Sequence, residues 1–229
     1  MFTKCLVCLG LFSTTALAAE HSTHEPIVSI DQEPSHRLVL KSDSMRVFDV
    51  SFPSGKTSLW HSHEKDSVLF CLDGAEVPSE EPGKELVPRP PIPSGSIYYR
   101  GYASTPFVHR IRNASATDFR ILDIEVLTAR PFAAGLAAPD QSLTVVLEND
   151  RVRVSKASIK PAQSLEQRFA GPHLLVASSD GEFDIESPAK PPLHVAAKRG
   201  HLQMEENAQR QSIRNTGRHD LEVVIVEVK

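Results

Sequence analysis

Cysteine, aromatic side chains and charge of one sign are all scarce in this chain of 229 residues, which has three cysteines, one tryptophan, three tyrosines and a formal net charge of -4. So even a balance offers no electrostatic reason to expect nucleic acid or an anionic membrane surface as a partner. Sustained helical periodicity is also missing, and 17 prolines break the chain into short pieces. Many short alternating runs between turns predict an all-β chain. With 40% hydrophobic residues it can bury one large core or two smaller ones.

Residues 1–18 combine Lys4, an apolar run and the small-x-small ending Ala16-Leu17-Ala18. They read as a signal peptide cut after Ala18, the run being too short for a membrane anchor, and they predict a secreted or periplasmic protein. Cleavage removes Cys5 and Cys8. Cys71 is then the only thiol, so no intramolecular disulfide can form even in an oxidising compartment. No later segment could span a bilayer. Residues 19–35 are polar and are expected to be loose, with His21 and His24 in solvent.

Strand signals follow in Met45-Arg-Val-Phe-Asp-Val-Ser-Phe52, around His61, in Ser67 to Leu72 with a hairpin signal at Asp73-Gly74, in Gly95 to Tyr99, around His109 and in Phe119 to Val126. About eight short strands suggest a barrel or jelly roll over residues 36–130. A linker of Ala, Gly and Pro spans 131–142, after which the pattern restarts. Val154 follows Val47 by 107 residues, as Gly181 follows Gly74, while Asn215 follows Asn113 by 102. The falling offset predicts an internal duplication with shorter loops in its second copy, residues 143–229. Applied to the histidines, the offset places Arg168 against His61, Ala170 against His63, Leu174 against Ser67 and Gln211 against His109. The second copy therefore lacks their chemistry. His173, His194, His201 and His219 read as surface or core residues.

His61-Ser62-His63 puts two imidazoles on one face of a strand, since side chains alternate with a period of two. The surroundings, Gly55, five residues, His61-x-His63, three residues, Ser67, six residues and Gly74, followed by Pro106-Phe-Val-His109-Arg-Ile-Arg-Asn113, resemble the two motifs of the cupin superfamily. Spacing matches throughout, but Ser67 stands where the family has Glu. The resemblance implies two cupin-type jelly-roll β-barrels in tandem, the second degenerate. It also implies one divalent metal ion, Fe, Mn, Ni, Cu or Zn, held by His61, His63 and His109 with three octahedral positions open. Asp66 and Glu64 fail the parity test for a fourth ligand unless a bulge intervenes. Ser67, Tyr98, Tyr99, Arg100 and Tyr102 are candidate pocket residues, and Cys71 a buried apolar side chain. Residues 77–93 are a candidate lid. The family's three-histidine dioxygenases imply a metal-dependent reaction on a small oxygen-rich or carboxylate substrate. A non-enzymatic metal- or small-molecule-binding bicupin is the competing reading, and a homodimer is the assembly the resemblance implies.

Overall fold

Alternating apolar and polar side chains build the strands of the first half in the computed structural model, which describes residues 25–84, 86, 89–128, 136–188 and 190–229. They are β1 (Val28–Ser29), β2 (His36–Lys41), β3 (Met45–Phe52), β4 (His61–His63), β5 (Ser67–Asp73), β6 (Ser79–Glu80), β7 (Ile97–Arg100), β8 (Phe107–Ile111) and β9 (Phe119–Val126). Two sheets result, ordered β1-β4-β8-β6 and β2-β3-β9-β5-β7. Between them lies a core that includes Phe48, Val50, Phe52, Cys71, Phe119 and Ile121. Cys71 is fully buried, and burial pushes its thiol up to about 11, as suits an inert apolar filler.

The second half repeats this plan with β10 (Thr144–Glu148), β11 (Val152–Ile159), β12 (Ser164–Phe169), β13 (His173–Ala177), β14 (Gly181–Ser187), β15 (Lys190–Ala197), β16 (Leu202–Glu205), β17 (Gln209–Asn215) and β18 (Leu221–Val228). Its sheets are β12-β17-β14-β15 and β10-β11-β18-β13-β16. Gly95 and Gly200 occupy the same turn in the two copies, both in the left-handed region that a side chain resists, at φ +79° and +90°. Asn113 and Asn215 are equivalent too. Each donates its side-chain amide to two carbonyls, of Phe52 and Thr117 in one copy and of Ile159 and His219 in the other.

The two five-stranded sheets pack face to face, because β3, β5 and β9 carry a second apolar side. Met45, Val47, Val68, Phe70, Leu122 and Ile124 meet Val152, Val154, Leu174, Val176, Val224 and Val226 in one cluster. Polar contacts rim it, such as Lys156 Nζ donating to Gly95 O at 2.8 Å and Arg199 bonding Leu72 O and Asp73.

Three sequence expectations change. The stretch expected to be loose is ordered from residue 25, where β1 pairs in parallel with β4, Val28 opposite His61. Residues 1–24, with the signal and His21 and His24, lie outside the described residues, as do residues 129–135 around the linker start. Asp73-Gly74 makes no two-residue hairpin, since β5 pairs with β7 and β9. Gly74 is needed for another reason: a Cβ there would stand 2.3 Å from Ile92 O. Finally, the register of the duplicate differs by one residue in the histidine region. His61 pairs with His109 as Gln167 pairs with Gln211, and Ser67 with Glu125 as His173 with Glu227. The counterparts of His61, His63 and Ser67 are therefore Gln167, Phe169 and His173. A loop one residue shorter than a constant offset assumes accounts for the shift.

Candidate metal centre

β4 and β8 are neighbours, and their register sets His61 directly opposite His109, with His63 two residues on from His61 on the same face. Ring centroids of the three lie 4.5 to 5.1 Å apart. His61 and His63 are buried, and His109 is partly so. The expected trio converges. A fourth imidazole, His36, joins it from the start of β2 in the opposite sheet, 4.8 Å from His61 by ring centroid. One ring nitrogen each of His36, His61 and His63 falls within 4.8 Å of the others.

The opposite nitrogens explain how the rings are aimed. His61 Nδ1 donates to Leu59 O at 2.9 Å, and His36 Nδ1 donates to Glu33 Oε2 at 2.7 Å. His109 Nδ1 is 3.1 Å from Ser79 Oγ, and His63 Nδ1 is 3.3 Å from Asp123 Oδ2. Nδ1 of His36 and of His61 donates to an oxygen that can only accept, which leaves their Nε2 lone pairs for the interior, whereas the Ser79 hydroxyl can donate or accept and His63 Nδ1 approaches Asp123 without a hydrogen bond. His61 Nε2 is buried with no partner. His63 Nε2 and His109 Nε2 stand 3.1 Å apart. Two bare nitrogens so close repel each other, which either the Nε2–H tautomer of one neutral ring or a cation between them relieves. Charged imidazolium is disfavoured: burial lowers His61 to about 4, and burial with the neighbouring histidines takes His109 well below the usual 6.5. The donor set therefore fits a borderline divalent metal, for which neutral imidazole is a preferred ligand.

Glu33 is the support behind His36. Burial alone would raise its carboxyl, but hydrogen bonds from His36, Ser35 N and Leu59 N hold it below the usual range and keep it ionised. A carboxylate behind a ligating histidine fixes its tautomer and raises its basicity.

The histidines open on a cavity of about 520 Å³, within the range of small-molecule sites. Its wall is mainly apolar, with Val50, Leu69, Val77, Ile111, Phe119 and Ile121, and among the described residues Arg89 and Arg100 bring guanidinium groups to it. Tyr98 and Tyr102 also line it. Burial, with the charge of Asp123, pushes Tyr102 up to about 12. The candidate lid is wall: Val77, Ser79, Arg89, Pro90 and Ile92 all contribute.

Not every candidate residue belongs here. Tyr99 packs instead into the cluster between the barrels, where burial and then Asp66 push its hydroxyl up to about 12. Asp66 faces away from the histidines, accepting from Ala103 N and from Arg151 Nε of the second half. Glu64 is exposed. Neither can reach the centre, as strand parity required. Ser67 is fully buried, but its hydroxyl donates to Lys65 O.

His36 and Asp123 were missed by the sequence reading. His36 begins β2, ahead of the apolar run Leu38-Val39-Leu40, and no motif spacing marks it. Asp123 left a readable trace, an acid on the inward parity of Phe119 and Ile121, shared with Glu125.

In the second barrel the equivalent space is filled. Phe169 stacks on His173 with ring centroids 3.6 Å apart, and His173 bonds Gly171 O and the Gln211 amide. Burial lowers the pKa of His173. His194 is exposed and paired with Asp184.

No family model and no curated protein matches the sequence. Solved structures do match in fold. AerE from Microcystis aeruginosa has a TM-score of 0.60 at 9% identity, over 86% of this chain and 98% of that one. A cupin 2 conserved barrel domain protein from Leptotrichia buccalis matches at 0.52 and 12%, over 84% and 87%. Salicylate 1,2-dioxygenase from Pseudoaminobacter salicylatoxidans, in a gentisate complex, matches at 0.57 and 8%, over 84% and 74%. The chain is a bicupin in fold, two cupin barrels in tandem with the histidine cluster confined to the first.

Proposed function

We propose that the first barrel binds one divalent transition metal through Nε2 of His36, His61, His63 and His109, and acts with it on a small organic anion. The observation that carries the metal is the convergence of four buried or half-buried imidazoles, three with Nδ1 engaged outward and His63 with Nδ1 3.3 Å from Asp123, and with unpartnered or mutually opposed Nε2 atoms inward. When bound, such an ion supplies Lewis acidity, and as iron it supplies access to dioxygen chemistry. The chain's own residues do the rest. The apolar wall takes the body of the ligand and excludes water, and Arg89 and Arg100 attract a carboxylate or a similar oxyanion. Salicylate 1,2-dioxygenase shares this fold, which supports the reading.

Metal analysis of the mature protein tests it, beside His36→Ala, His61→Ala and His109→Ala. About one equivalent is expected in the parent and much less in each variant. A parent that stays metal-free after reconstitution sinks the reading. Oxygen uptake by the iron-loaded protein, offered small aromatic carboxylates, then separates an enzyme from the competing non-enzymatic binding protein. The signal-like residues 1–18 support secretion or periplasmic location, which the N-terminal mass of the mature chain checks by starting at Ala19.

A further inference from the structure

One cavity residue has a cost that nothing so far offsets. Asp123 projects from β9, is 2% exposed, and neither carboxylate oxygen has a hydrogen-bond donor. A buried carboxylate in that state is expensive, and such groups are usually paired or placed at metal ions. Its neighbour on the inward face, Glu125, pairs through Oε2 with Arg46, which also pairs with Asp31, and keeps only Oε1 without a partner, whereas both oxygens of Asp123 lack one. That leaves Asp123 facing the imidazoles, with His63 Nδ1 at 3.3 Å.

We propose that Asp123 is the carboxylate of this metal centre, replacing from β9 the acid that Ser67 no longer provides on β5. It holds the His63 ring with Nδ1–H toward itself and Nε2 toward the ion, and it adds the negative charge that four neutral imidazoles lack. The proposal rests on the metal-binding reading above. Strand register makes the replacement geometrically simple. Ser67 pairs with Glu125 and the next inward residue, Leu69, pairs with Asp123, so the carboxylate has moved one strand over and one inward step along.

The second barrel supplies an internal control. Strand pairing and the offsets place Leu143, Gln167, Phe169, Gln211 and Ile225 against His36, His61, His63, His109 and Asp123. All five positions have lost their ligand chemistry together. Residues that serve the fold have not changed: Arg46 and Glu125 recur as Arg153 and Glu227, and Asn113 as Asn215. An aspartate kept for packing would follow the second group. Asp123 follows the histidines.

The experiment uses the mature full chain and its Asp123→Ala and Asp123→Asn variants, with zinc as the probe. In the metal-free parent, the nitrogen chemical shifts of His63 should report a protonated Nδ1 and a bare Nε2. In Asp123→Ala the proton moves to Nε2, and zinc affinity falls about 10- to 100-fold, the usual effect of removing a carboxylate that supports a ligating histidine. Asp123→Asn keeps an oxygen that accepts from Nδ1–H, so the tautomer stays and the affinity loss is smaller. Unchanged tautomer and affinity in Asp123→Ala overturn the proposal. A parent that binds no zinc defeats the metal reading and the metal role of Asp123 with it. The tautomers of the same samples still decide separately whether Asp123 orients His63.

Discussion

At the scale of single residues, the barrel interior is shaped by what each buried polar atom has available. His36, His61 and His109 each spend one nitrogen on the protein and turn the other inward. Glu227 illustrates the opposite case, a buried acid whose oxygens find no hydrogen-bond donor. Burial pushes its carboxyl up to about 7 despite Arg153 Nη1 at 3.7 Å. The folded state therefore holds this proton more tightly than the unfolded chain, where the value is near 4.5. That contribution to stability is fully present below about pH 4.5 and is lost as pH rises through about 7. It amounts to about 3 kcal/mol over the window. Denaturant midpoints at pH 5 and pH 8 would register it, and Glu227→Gln should flatten the difference. Equal slopes in parent and variant would place the pH dependence elsewhere.

At the scale of elements, the site depends on very short pieces of backbone. β4 is three residues long, too short to hold itself, and it is aligned by β8 on one side and by β1 on the other. The end of β8 is fixed by Asn113, four residues beyond His109, through its bonds to Phe52 O and Thr117 O. Removing the side chain strands buried carbonyls, at a cost of about 1–3 kcal/mol for each group left unsatisfied. Asn113→Ala and Asn215→Ala should therefore lower stability by similar amounts, about 2–4 kcal/mol each. Only the first should also weaken zinc binding. A variant pair that behaves alike in both respects would mean that the corner does not set the position of His109.

At the scale of the whole molecule, the two barrels share one apolar interface, and neither half could expose it in isolation without a large hydrophobic face. Leu174 lies wholly inside that interface. Truncating such a residue costs about 2–5 kcal/mol, for lost transfer energy and the cavity left behind. Leu174→Ala is expected to lower the unfolding midpoint in a single transition and to reduce amide protection in both barrels alike. Loss confined to the second barrel would show that the halves unfold independently. The interface also accounts for Asp66, which bonds Arg151 of the other barrel and so is occupied away from the histidines.

Much of this was legible in the chain because alternation and spacing are local properties. The parity of His61 and His63 and the outward side of Asp66 follow from a period of two along a strand, and His109 from the spacing of the motif that resembles the cupin family's second one. The duplication is legible too, since its turn glycines and asparagine corners stand at regular distances. What local pattern could not supply is which strands face each other across a barrel. His36 and Asp123 lie on the sheet opposite β4 and β8, and only closure of the barrel brings them to the three motif histidines. Pairing likewise decided the one-residue shift that sets Gln167 and Phe169 where the first barrel has His61 and His63. The sequence by itself determined the strands and the three-histidine core of the site. The tertiary structure alone decided its fourth imidazole and its carboxylate, because contacts between sheets leave no periodic trace along the chain.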